Sequence, residues 1–510
     1  MKRILVIPLM LIMGIMIIFI PFKSHADQMG SGCFNEELPI TDEELRIDDP
    51  DNNTPQRILK DSGFDIYIDE FQEALCEAND LETTKSMVEE KGSELWENAI
   101  ERAQNKNTEG LDRYDDRPLY WVRQHMTMFI RQWDPEFSLS ENDRMELLKE
   151  LEYSSRGINS IQFSDDDDVK RILVSGFDPY QLQDEVRRSN PSGAAALQLD
   201  GLEIDTENGP AIIQAVNLPV RWSDFDDGIV EDVFAPYLEK GASKRADLIM
   251  TISQGGARQM AIEGFAGRWQ TGVDNEMASR SGVTPPVDHW PMPSELPEFI
   301  ETTLPIEEMV NADTGPWRVY RNDQICEVID SERICHTDGP TEGAEARSGG
   351  GGAYLSNESQ YRSNRVRLGL GAVDMPGGHL HISSLEFYPS DKSMYIDEDF
   401  QNHRQVTVDQ TVDLVKAAAN KGRVKTSEGM IEIIEKYESN EEIDKKTARL
   451  LKTHLTSLDH FEKQNSDNKV IKHANGLKEL LNHQLEEDLL SKDQHELLIA
   501  TTENLIEMWK

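Results

Sequence analysis

Positive charge is scarce in this chain. Lys and Arg number 52 against 95 Asp and Glu, a formal charge of −43 over 510 residues. So acidic a surface repels phosphate backbones and argues against nucleic acid as a partner; the bland reading is a solubilised surface. Cysteine is scarce too: Cys33, Cys76, Cys326 and Cys335 include no C-x-x-C pair, so zinc-ribbon and thioredoxin-type chemistry are excluded. No phosphate loop, dinucleotide fingerprint or metal-ligand spacing is present, which points to a protein that works without a cofactor. Apart from Ile4 to Phe22, long apolar runs are missing as well.

That one run follows Lys2 and Arg3 and precedes the small residues of Ser24-His25-Ala26. The pattern predicts a secretory signal peptide over residues 1–26 and an extracytoplasmic, secreted product. An uncleaved membrane anchor is the alternative, because the run is long enough to span. Cys33 lies too far from it for lipid attachment. An even set of cysteines suits an oxidising compartment. Cys326 and Cys335 flank EVIDSERI, a hairpin that a bridge would close, and Cys33 and Cys76 would tie the N-terminal region together. Four buried thiols is the competing reading.

The length predicts two to four domains. Residues 27–165 read as an acidic helical region, with helical spacing at Leu81 to Gln104 and a more apolar helix at Leu119 to Trp133. Ser140 and Asp143 form a capping pair ahead of Met145 to Leu151. From Val169 strands and helices alternate: ILVSGF, AIIQAVNLPV and ADLIMTIS are apolar strands, and Phe225 to Lys240 and Thr407 to Asn420 are helices. Apolar strands between helices predict an α/β domain with a mostly parallel sheet covered on both faces. Residues 422–510 form a second charged helical region with four amphipathic segments, read as a helical hairpin or small bundle. The fold class is therefore α/β with helical appendages at both ends.

The stretch ILVSGFDPY…NPSGAAALQL is a strand, a glycine-bearing turn and a helix for which Ser192 would be the N-cap. Its wording resembles the opening of the pyroglutamyl peptidase I family of cysteine peptidases. Three further stretches, in family order, extend the resemblance over roughly residues 169–421: SQGGARQMAIEGFA, FIETTLPIEEMV and GGAYLSNE followed by GGHLHIS. The resemblance implies a pyroglutamyl-peptidase-like fold, no cofactor, and a triad of Glu263, Ser356 and His381. It also departs from the family. Ala257 replaces an arginine after the glycine pair, with Arg258 following, and Gly264 replaces another after the glutamate. Ser356 stands where the family has its nucleophilic cysteine, at a position equally suited to a plain helix N-cap.

The same resemblance makes Phe177, Tyr180 and Asn190 the lining of the substrate pocket. A tyrosine at 180 and a longer loop from Gln181 to Ser189 depart from a strict pyroglutamyl site. His379 shares a strand face with His381 and is the reserve base. A competing alignment sets Asp374 in the histidine's place and predicts an inert site. The expected activity is removal of N-terminal pyroglutamyl or related groups from peptides; the alternative is a pseudo-peptidase that binds a peptide or protein.

Overall fold

In a computed structural model, residues 32–106, 110–166, 168–240, 242, 244–386 and 388–510 are described, so the signal-peptide expectation lies outside them. Among the described residues no helix is long and apolar enough to cross a membrane. Five helices come first: α1 (Thr54–Ser62), α2 (Asp65–Glu77), α3 (Leu81–Gln104), α4 (Arg117–Gln132) and α5 (Glu141–Ser154). The predicted capping box is present at α5, with Ser140 and Asp143 satisfying each other's backbone. A disulfide joins Cys33 to Cys76 at the end of α2.

The α/β region begins with β1 (Lys170–Phe177), α6 (Pro191–Leu199), β2 (Leu202–Thr206) and β3 (Gly209–Leu218). The N-cap of α6 is Asn190 rather than Ser192, because Pro191 takes the first helical position and the Asn190 side chain accepts from the Ser192 N–H. Next come α7 (Trp222–Asp226), α8 (Ile229–Phe234), β4 (Leu248–Gln254) and β5 (Gln259–Glu263). The single helix expected over 225–240 is broken. Gly228 adopts a left-handed φ of 95°, where the segment at Val287 and His289 approaches too closely for a side chain.

Short strands follow: β6 (Phe265–Gly267), β7 (Gln270–Val273), β8 (Ser279–Gly282) and β9 (Phe299–Glu301). Then come α9 (Ile306–Asn311), β10 (Arg318–Asn322), β11 (Ile325–Ile329), β12 (Glu332–His336) and β13 (Glu345–Ser348). The β11–β12 hairpin sets Cys326 opposite Cys335 and the two are bridged. The region closes with α10 (Leu355–Gly369), β14 (Gly377–Ile382) and α11 (Glu398–Ala419).

Seven strands form the central sheet in the order β10-β5-β14-β4-β1-β3-β2. Four of its six pairings are parallel, and β5 against β14 and β2 against β3 are antiparallel. Apolar clusters cover both faces, one centred on Leu173, Val216 and Phe225 and the other on Val174, Met250 and Leu414. The mostly parallel α/β sheet flanked by helices is thus the observed architecture. The tail folds as α12 (Ser427–Ser439), α13 (Lys445–Glu462), α14 (Asp467–Glu486) and α15 (Lys492–Met508), packed around Leu451, Leu455, Leu477 and Leu498.

Candidate active site

Registered neighbours in a sheet point to one face. His379 pairs with Glu263 across the antiparallel β14–β5 junction and with Thr251 of β4, and His381 pairs with Ser253. The two histidines and the glutamate therefore share a face. The His381 Nδ1 lies 2.6 Å from Glu263 Oε1, with the histidine side chain 12% exposed and the carboxylate 1% exposed. A carboxylate on Nδ1 fixes the tautomer and leaves Nε2 to take a proton. Asn322, at the end of β10, donates to the second carboxylate oxygen at 2.8 Å and to the Gly350 carbonyl at 2.9 Å. Sequence reasoning passed over Asn322, because the strand that carries it was not separable from the loop around it.

His379 is not a base. Its Nδ1 lies 2.7 Å from the Thr251 hydroxyl and its Nε2 2.9 Å from that of Ser253, so both nitrogens are engaged. Burial, with His381 beside it, holds its pKa well below the usual imidazole range and keeps it neutral. Its ring meets that of His381 edge-on at 4.7 Å between centroids, so it buttresses the outer histidine.

Glycines make room for this pair. A Cβ at Gly255 would lie 2.8 Å from His381 Cγ, one at Gly351 3.0 Å from its Cε1, and one at Gly350 2.2 Å from Glu263 Oε2. The loop from Gly349 to Gly352, closed by hydrogen bonds between its ends, is therefore glycine because it lies flat on the pair. It leads directly into α10, whose N-cap is Tyr354 and whose second residue is Ser356. The Ser356 hydroxyl donates to the Gly351 carbonyl at 3.3 Å, and among the described residues it makes no hydrogen bond to His381. Ser356 and His381 thus both approach Gly351.

Ser356 also lines a pocket together with all three residues expected there, Phe177, Tyr180 and Asn190, and with Val220 and Gln254. The pocket is tight, about 40 Å³. Phe177 stacks on Phe225 at 6.1 Å and belongs to the core as well as to the lining. The Asn190 amide is already engaged: it donates to the Asp178 carbonyl at 2.8 Å and accepts from the Ser192 N–H at 3.1 Å. Asn190 shapes the pocket and has little left with which to bind.

The turn that carries this lining is held by the N-terminal helices. Arg123 of α4 grips both Asp178 carboxylate oxygens at 2.9 Å, and Arg156 reaches one at 2.6 Å. Asn275 donates to the Pro179 carbonyl at 2.9 Å and to Glu43 at 3.0 Å. Burial raises the Glu43 carboxyl to about 7. Asp116 accepts from the Asn190 N–H at 2.9 Å and is likewise raised to about 7, first by burial and then by Asp115. Asp374, the alternative to His381, is elsewhere: it pairs with Arg245 at 2.9 Å and accepts from Asn504 of α15. That carboxylate fastens the tail to the sheet, so the competing alignment finds no site.

The fold and site define a mixed α/β protein in which a glycine loop lies on a buried carboxylate–imidazole pair and leads into a helix N-terminus. Comparison with known proteins places it further. Residues 24–152 match the family described as PA0049 N-terminal domain, and residues 171–292 and 318–386 match PA0049, C-terminal domain. A Pseudomonas aeruginosa protein, "Uncharacterized protein PA0049", is 30% identical over 463 residues, covering 70% of this chain and 83% of that protein. The chain belongs to the PA0049 family. Residues 427–507 also match the FIMAH domain.

Among solved structures, pyroglutamyl peptidase I of Bacillus amyloliquefaciens is similar at 19% identity and a TM-score of 0.31, over 49% of this chain and 98% of that one. Pyrrolidone carboxyl peptidase from Thermococcus litoralis is similar at 14% identity and a TM-score of 0.31, over 49% and 94%. These likenesses concern half of the chain, and the reading of the chemistry rests on the site itself.

Proposed function

We propose that the protein is an exported hydrolase that removes N-terminal pyroglutamyl or related groups from peptides. Ser356 is the nucleophile, His381 the base and Glu263 the group that orients it. The observation that carries this reading is the Glu263–His381 pair and Ser356 meeting at Gly351, with Ser356 in the same pocket as Phe177 and Tyr180. The Ser356 hydroxyl turns from the Gly351 carbonyl towards His381 and attacks the substrate carbonyl as Nε2 takes its proton. Free N–H groups in the first turn of α10 stabilise the oxyanion. The imidazolium, held by Glu263, then gives the proton to the leaving amine, and water releases the acyl group by the same route. A ring needs more than 40 Å³, so lining side chains such as Tyr180 and Tyr354 have to move to admit it. The two disulfides suit the oxidising compartment that export implies.

One observation favours a second reading, a pseudo-peptidase that binds a peptide. Ser356 bonds to the loop carbonyl instead of to His381, and the pocket is closed down to a small volume. Pyroglutamyl-naphthylamide separates the two. Under the hydrolase reading it is cleaved, and Ser356→Ala and His381→Ala each lower turnover by about a thousandfold or more. Cleavage indifferent to both variants defeats the assignment of this site. If the wild type is silent and Ser356→Cys gains cleavage, the site lacks only its thiol; silence in both supports the binding module.

A further inference from the structure

Among the described residues, a second concave site lies away from the sheet's carboxyl edge. It is an open cleft of about 800 Å³ where the C-terminal helices meet the opposite end of the α/β domain. In a chain of net charge −43 its lining runs the other way. Arg171, Lys240 and Arg245 come from the α/β domain, Arg423 and Lys425 from the segment that follows it, and Lys478 and Lys510 from the C-terminal region. Only Asp165, Glu503 and Glu507 offset them within the lining.

Part of that cationic charge is internally balanced. Glu503 serves both Lys240 at 3.2 Å and Lys478 at 2.7 Å, and buried Asp247 serves Lys425 at 3.0 Å and Arg423 at 3.4 Å. Arg245 pairs with Asp374 at 2.9 Å and Lys510 with Glu507, so four carboxylates serve six of the lining cations and cations remain in excess. Arg171 and Arg245 are the most buried of them, and Arg423 lies beside Arg245. The Arg423 side chain is 8% exposed, and its Nε faces the buried carboxylates of Asp247 at 3.4 Å and Asp374 at 3.9 Å. Burial, with Arg245 close by, lowers its pKa from the usual guanidinium value. Asp247 and Asp374 are shared among Arg245, Arg423 and Lys425, two anions for three cations.

We propose that this cleft binds a short phosphoryl anion, such as a di- or triphosphate or a short phosphodiester, clamped between the α/β domain and the C-terminal helices. Guanidinium groups at depth and ammonium groups at the rim are the donor set that phosphoryl oxygens use. Cations from separate segments of chain ask for a ligand with more than one negative centre. The acidic remainder of the surface repels long polyanions, so the ligand is short. The α/β domain and the tail are tied by Arg245 to Asn504 at 2.7 Å, so a bound anion would tighten the docking of the tail.

Calorimetric titration of the full chain with inorganic tripolyphosphate tests this, independently of any peptidase activity. Saturable binding is expected, together with a rise in the temperature at which the tail unfolds. Lys478→Gln combined with Lys510→Gln should weaken binding by about tenfold or more, whereas Lys85→Gln with Lys149→Gln, on the N-terminal helices, should leave it unchanged. Arg423→Gln should abolish binding; should that variant misfold, the rim pair still decides. Absence of saturable binding, or equal weakening by both lysine pairs, overturns the proposal. A polycarboxylate such as oligogalacturonate binding as tightly as tripolyphosphate overturns the phosphoryl assignment.

Discussion

The two helical regions differ in how they are attached. The N-terminal helices share their core with the α/β domain: Leu182, Leu197 and Tyr395 complete a cluster otherwise built from Ile58, Trp96, Trp121 and their neighbours. Charges cross the same seam, with Arg123 on Asp178, Arg404 on Asp115, and Trp96 donating to Asp200. The C-terminal helices bury a core made entirely of their own residues, from Met430 to Ile506. They are joined to the rest by polar contacts such as Asp374 with Asn504. A shared core makes one cooperative unit, and a private core makes a second. The N-terminal region is therefore part of the site, and the tail is a partner to it.

The largest blow to this contrast should come from Arg123→Met. It leaves Asp178 buried against Arg156 alone, and breaking such a pair costs about 3–5 kcal/mol. Denaturant unfolding should show the loss in the main transition, and a loss confined to the helices would contradict the single unit. Leu455→Ala should cost about 3 kcal/mol by leaving a cavity in the tail. That cost should appear as an earlier separate transition, with hydrolysis of the test substrate unchanged. One merged transition shifted as a whole would show that the tail is not autonomous.

A third contrast is set by pH. Glu43 and Asp116 are both raised to about 7, above the value near 4 expected in an unfolded chain. Between those values the folded state holds protons that the unfolded state releases. Their contribution is therefore complete below pH ~4 and is lost as pH rises to ~7, by roughly 1 kcal/mol per pH unit for each group. The main transition should carry this slope, and Glu43→Gln should remove its share. A slope unaltered by that substitution would assign the protons elsewhere. The smallest effects come from the two capping boxes, Ser140 on α5 and Ser491 on α15. Alanine at either should cost about 1 kcal/mol, the first in the main transition and the second in the tail's alone, as thermal melts would show.

Much of the architecture was legible where periodicity is strong. Leu81–Gln104 is a helix over the predicted span, and the strands around ILVSGF and ADLIMTIS lie where their apolar runs put them. Gly228 was not legible as a helix breaker, because the side chain that leaves no room for a Cβ there, His289, lies 61 residues away. The convergence of Glu263 and His381 was legible only through the resemblance of their surroundings to a family pattern, since no local spacing links residues 118 apart. Asn322, Arg123 and the hydroxyl clamp on His379 were invisible for the same reason: each acts across the fold on a group whose neighbours along the chain say nothing of it. Ser192 was misassigned as a cap because Asn, Pro and Ser in succession offer two capping side chains, and the proline decides between them.

The shared core also imposes an order in time. The N-terminal helices are synthesised first and are cross-linked early by Cys33 and Cys76, 43 residues apart. Their apolar surface stays open until Leu182 and Leu197 arrive, and the last piece, Tyr395, is more than 300 residues behind α1. For most of its production the chain therefore carries a half-covered helical bundle awaiting its lid, the kind of intermediate that holding factors recognise. The tail, whose helices pack chiefly on their sequence neighbours, needs no such waiting and can close as soon as it emerges.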